Sequence, residues 1–148
     1  MAYRYAHRSH AAPLPTQIED LVALDHPVRA YDAFIRALDF AELGIVLNSK
    51  KVGNSSYDPV MMLLLLVFSY SYGWRSSRKI ERACHDNIAF IWLCGGLKPD
   101  FKTISEFRRK NISAFKKALK QCVRMCISLD LIAGNNLFVD GSKCKRRV

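Results

Sequence analysis

Acidic residues are scarce: 13 Asp and Glu stand against 23 Lys and Arg, a formal net charge of +10. The imbalance is silent about fold but points to a polyanionic partner, nucleic acid before an anionic membrane surface. Cys-x-x-Cys spacing is absent. The five cysteines, Cys84, Cys94, Cys122, Cys126 and Cys144, are odd in number, which argues against knuckle-type zinc sites and against a secreted disulfide framework. The start, "MAYRYAHRSH", lacks the apolar stretch of a secretory signal, so a reducing cytoplasm is the expected location. No hydrophobic run is long enough for a membrane span: the apolar part from Val60 to Phe68 covers nine residues, where about 20 are needed. A Gly-x-Ser-x-Gly elbow, a glycine-rich phosphate loop and internal repeats are also missing. Of the four histidines, His7 and His10 lie in the arm, His26 in a cap and His85 in a turn, places that suit surface or capping residues better than catalysts. Hydrolase and phosphate-loop chemistry therefore find no foothold.

What remains is a helical pattern. At 148 residues, 50% hydrophobic and 24% charged, the chain can form one domain with a real core. Residues 1–17 read as a polar, proline-punctuated arm. Asp25 is expected to cap a helix that starts near Pro27 and carries Val28, Tyr31, Phe34, Ile35 and Leu38 on one stripe. A polar loop, "LNSKKVGNSSYD", follows. Asp58-Pro59 then opens a helix that is apolar all round and belongs in the centre of the core. Ser76 or Ser77 caps a short helix to Cys84, His85-Asp86-Asn87 make a turn, and Ile88 to Cys94 form a second short helix ended by Gly95-Gly96. These dimensions suit a helix-turn-helix. Thr103 and Glu106 read as a capping box for a helix with Ser105, Arg108 and Arg109 on its polar side. The next helix carries an apolar stripe of Ile112, Phe115, Leu119, Cys122, Val123, Cys126 and Ile127. Gly134-Asn135-Asn136 turn into a short strand, Leu137 to Val139, that ends on Asp140. The expected architecture is mainly α, with five to seven helices and one terminal strand.

Charge is unevenly placed. From Lys98 to Val148 there are 13 Lys or Arg against 4 Asp or Glu, a balance of +9, and the preceding 97 residues are close to neutral at +1. Lys116, Lys120 and Arg124 recur at i, i+4 and i+8 with Lys117 beside them. Like charges at that spacing repel by a few tenths of a kcal/mol per pair, and a phosphate backbone would explain them as well as a solvated face would. Asp140 has two readings: it caps the Gly-Ser turn, or it holds a divalent metal, which would need further carboxylates.

Four stretches together resemble a known family: "DHPVRAYDAFIRALDF", "YDPVMMLLLLVFSYSYG", "RSSRKIERACHDNIAFIWLCGGLKPDFKTISEFRR" and "LFVDGSK". The chain is similar to the N-terminal part of bacterial insertion-sequence transposases of the InsH-like group, which have a DDE catalytic core. The resemblance implies a helical region (18–133) that binds double-stranded DNA at the element's terminal inverted repeats and helps assemble a dimer. It implies that 134–148 begin an RNase H-like domain whose first catalytic acid is Asp140. In the full-length family that acid binds Mg²⁺ with a second Asp and a Glu, both lying beyond the last residue here. The ending "CKRRV" departs from the family and reads as a truncated or frameshifted copy or the first frame of a split gene. The chain by itself is then expected to have no cofactor and no cutting activity.

The DNA contacts expected on that basis fall in four groups. Arg108 and Arg109, with Lys102, Thr103 and Ser105, would enter a major groove, where arginine reads guanine O6 and N7. Lys116, Lys117, Lys120 and Arg124 would hold phosphates. Arg75, Arg78, Lys79 and Arg82 are the rival set, on the preceding helix pair. Arg4 and Arg8 of the arm would reach a minor groove. Partners expected besides DNA are a second copy or a full-length transposase, as a dimer or as an inhibitor of it, or a second chain that completes the catalytic core. No membrane is expected.

Overall fold

Two prolines set the start of the two helices that begin the core. The computed structural model describes residues 17–45 and 57–128. Helix α1 (Pro27–Arg36) has Pro27 at its first position, and the cap is therefore His26, whose Nδ1 accepts the Val28 N–H at 3.1 Å. Asp25, the cap expected from the sequence, lies one residue too early. Proline at the first helical position leaves only its predecessor in the extended conformation a cap requires. The same rule holds at α3 (Pro59–Ser71), where Asp58 accepts the Val60 N–H at 3.0 Å. Between them, α2 (Phe40–Leu43) is capped by Asp39 and ends on Gly44.

Helix α3 is the centre of the fold. From Met62 to Ser69 no residue is more than 1% exposed. Its apolar residues occupy every side, so neighbours must cover every side, and α1, α5 (Ile88–Leu93), α6 (Phe101–Lys110) and α7 (Ile112–Ser128) do so. The buried hydroxyl of Ser69 donates back to the Leu65 carbonyl at 2.6 Å, which satisfies it without a partner helix. Phe68 sits among rings: Tyr31 at 5.4 Å, Tyr72 at 5.0 Å and Phe90 at 5.2 Å between centroids. At 13 residues α3 is too short to span a bilayer, and no described helix is long and apolar enough to cross one.

Helix α4 (Ser77–Asp86) continues through His85 and Asp86, where the sequence reading placed a turn. Asn87 alone separates it from α5. Its Oδ1 accepts the N–H groups of Ala89 at 3.0 Å and Phe90 at 3.4 Å and starts α5, while its backbone N–H donates to the Ala83 carbonyl at 2.9 Å and closes α4. Gly95 and Gly96 then stop α5 as expected, both at positive φ. At Gly96 a Cβ would lie 2.9 Å from Ile18 Cδ1. Glycine there lets the 3-10 turn Ile18–Leu21 close against the end of α5.

Helix α7 corrects the expected stripe. Its buried side is Ala114, Phe115 and Ala118, whereas Ile112, Val123 and Ile127 are 45–50% exposed. The two alanines bring the helix close to α3 and so turn the larger side chains off the contact.

The N-terminal segment is held by one side chain. Arg29 of α1 donates Nε to the Ala23 carbonyl at 3.0 Å, and Nη2 to the carbonyls of Glu19 at 3.0 Å and Val22 at 2.8 Å. Its Nη1 pairs with the Glu19 carboxylate, its guanidinium lies 4.9 Å over the Trp92 ring, and Trp92 Nε1 donates to Glu19 at 3.1 Å. The Arg29 side chain is 21% exposed and that of Glu19 61%, so solvent screening discounts the ion pair and the backbone bonds dominate. Arg29→Ala is expected to lower stability by about 2 kcal/mol and to deprotect the amides of residues 18–23 in hydrogen exchange. An unchanged unfolding curve would show that the segment needs no latch.

The helical class expected from the sequence is thus what the described residues form: seven α-helices, with no strand among them. The arm with Arg4 and Arg8, most of the polar loop, the expected strand and Asp140 lie outside the described residues.

Candidate nucleic-acid interface

Helix α4 separates its residues by face. Ser77, Ile80, Ala83 and Cys84 are buried, and Arg78, Lys79 and Arg82 are exposed. The three cations line an open groove of about 670 Å³ with Trp74 and Asn87. Trp74 lies nearly parallel to Phe90, 5.3 Å between centroids and 12° between planes. Lys79 Nζ stands 4.5 Å from the Trp74 ring centroid.

Helix α6 packs beside α4 and does the same. Ile104 is buried, and Phe101, Lys102, Ser105, Glu106 and Arg109 line a second, shallower groove of about 340 Å³. The Arg78 guanidinium lies 5.2 Å over the Phe101 ring. That contact joins the two grooves, because Arg78 lines one and Phe101 the other.

The start of α6 differs from the sequence reading. Asp100 is the cap, accepting the Thr103 N–H at 2.6 Å, and Thr103 is half-buried in the first turn. Glu106 does not reach back to close a capping box; it pairs with Lys110 at 2.7 Å, one turn on. The hydrogen bonds from Thr103, side chain first and backbone second, hold the Asp100 carboxyl below its ordinary range. Lys110 does the same for Glu106.

The arginine pair of α6 divides. Arg108 turns inward: its Nη1 donates to the Arg75 carbonyl at 2.7 Å and to the Tyr70 hydroxyl at 3.3 Å. It ties α6 to the end of α3 and to the segment leading into α4. Arg109 is exposed in the groove. On α7, Lys116, Lys120 and Arg124 are exposed, whereas Lys117 donates to the Glu42 carbonyl at 3.2 Å, at the end of α2. Every residue of α5 is apolar or aromatic, and its single polar side-chain atom, the Trp92 indole nitrogen, is committed to Glu19.

Residues 16–110 match a described protein family, the transposase domain (DUF772). The match covers well over half of the 148 residues. The chain belongs to this family. That agrees with the resemblance to the N-terminal region of insertion-sequence transposases, and it connects the chain with transposition. No curated protein and no solved structure matches it.

The matched part of this transposase domain ends at Lys110, the last residue of α6. Both grooves therefore lie inside it, and α7 lies outside. Sequence reasoning named every cation of the grooves but missed Trp74 and Phe101. Their signal was present: each precedes basic residues, in "WRSSRK" and "FK". Beneath the basic face, Cys84 and Cys94 place their sulfurs 3.7 Å apart in the core of the domain. The hydrogen bond with Cys84, and after it burial, raise the Cys94 thiol above its ordinary range. Among the described residues no three His, Cys, Asp or Glu side chains come together to hold a metal ion.

Proposed function

We propose that this transposase domain binds duplex DNA through the joined face of α4 and α6, and that in the element it recognises the terminal inverted repeats. The observation that carries the reading is the pair of adjoining open grooves lined by Arg78, Lys79, Arg82, Lys102 and Arg109. In this reading α6 lies in a major groove. Arg109 reaches base edges, and Lys102 and Ser105 contact the groove or its walls. The α4 cations hold phosphates of the flanking backbone. Arg108 supports the surface from behind. The role is binding and positioning; hydrolysis and strand transfer would belong to a three-acid Mg²⁺ site of which Asp140 is the first member by resemblance.

Fluorescence anisotropy tests this with two labelled duplexes, one carrying the end of the flanking element and one a scramble of it. With the three α4 cations and Lys102 on phosphates, log K should fall with log salt at a slope of about −3 to −4, and the element end should bind more tightly. Equal binding to both would remove the sequence-reading role. A slope near −1 would remove the phosphate face itself.

A further inference from the structure

We infer that the rings of Phe101 and Trp74 are positioning residues for DNA binding: they hold the Arg78 and Lys79 cations at the groove before a phosphate arrives. This rests on the α4–α6 face proposed above. Long basic side chains on a helix surface sample many rotamers, and fixing one on a phosphate costs about 0.5–1.5 kcal/mol. Here two consecutive cations are already placed, Arg78 over Phe101 at 5.2 Å and Lys79 over Trp74 at 4.5 Å.

The rings are themselves fixed. Trp74 is backed by Phe90, and its backbone N–H donates to the Ser69 carbonyl at 2.9 Å. Phe101 opens α6, one residue after the Asp100 cap. Arg108 closes the arrangement by tying α6 to the Arg75 carbonyl, just ahead of α4. A ring contact leaves the charge intact. The guanidinium keeps all of its N–H donors for a phosphate, which a salt bridge would consume. Neither Arg78 nor Lys79 has an acidic partner among the described ion pairs. Aromatic platforms thus order these cations without neutralising them, as an anion-binding surface needs.

The test is a double-mutant cycle on the full chain, read by anisotropy with a short labelled duplex of mixed sequence over a potassium chloride series. Phe101→Leu keeps apolar bulk and removes the ring. It should weaken binding about two- to five-fold with the salt slope unchanged, because no charge is lost. Phe101→Tyr should bind as the parent does. Arg78→Gln should weaken binding and make the slope shallower by about one. In the double variant Phe101→Leu should add nothing to Arg78→Gln, since the ring acts through Arg78. Unaltered binding by Phe101→Leu, or a loss that adds fully to that of Arg78→Gln, overturns the positioning role. A parental slope retained by Arg78→Gln would instead overturn the DNA face on which it rests. Far-ultraviolet circular dichroism and unfolding midpoints of each variant separate binding losses from misfolding.

Discussion

Replacing Phe68 with alanine is expected to destabilise the domain by about 3–5 kcal/mol, the range for a large aromatic removed from a packed core. Three features put Phe68 at the upper end. It is fully buried. Its ring meets those of Tyr31, Tyr72 and Phe90, at 5.0–5.4 Å between centroids, so the cavity would open between α1, α3 and α5. Its neighbours along α3 are buried as well, and none can swing in to fill the space. Since whole domains are stable by only about 5–15 kcal/mol, the variant loses a large part of its margin of stability. Urea unfolding followed by far-ultraviolet circular dichroism measures the loss, and Phe68→Leu should cost much less. A loss under about 1 kcal/mol for the alanine variant would mean that the aromatic cluster is peripheral to folding.

The second large effect concerns binding. Arg78, Arg82 and Arg109 are exposed, and changing all three to glutamine should leave the unfolding midpoint nearly unaltered. On duplex DNA each lost phosphate contact removes about 0.9 from the salt slope. Arg78 and Arg82 are the phosphate contacts of the three, so the triple variant should flatten the slope by about 2, and with the Arg109 base contact also lost it should lower affinity on the order of 10²-fold near 0.1 M salt. The matched control changes Lys116, Lys120 and Arg124, the exposed cations of α7. If the control loses affinity and the triple arginine variant does not, the DNA-binding face is on α7.

Much of this was legible in the sequence because it rests on local rules. The Asp58-Pro59 cap, the stop at Gly95-Gly96, the α1 stripe and the all-round apolar α3 follow from proline geometry, positive φ and periodicity, which need no knowledge of neighbours. The failures came where two residues could do the same local job. Asp100 and Thr103 are both competent caps three residues apart, and tertiary contact chose between them: starting at Asp100 places Phe101 under Arg78. Asp25 and His26 are adjacent acceptors, and the position of Pro27 decided for the histidine. Arg108 and Arg109 look equivalent in sequence. Only the packing of α6 against the end of α3 turns one inward to Tyr70 and Arg75. On α7 the periodicity was real for Phe115 and Leu119, but Ala114 and Ala118 share the contact face with them, and Ile112, Val123 and Ile127 stay exposed.

The central position of α3 bears on how the chain is made. Its covering helices come from both sides of it in sequence: α1 precedes it, while α5, α6 and α7 follow. As the polypeptide leaves the ribosome, α3 emerges with only α1 available to shield it. The run from Val60 to Phe68 then faces water, or a chaperone, until some fifty further residues have been synthesised. The segments that carry the basic face, α4 and α6, are translated in that interval. The basic face of α4 and α6 is therefore completed in the same late interval in which the most apolar stretch of the chain gains its last covering helices.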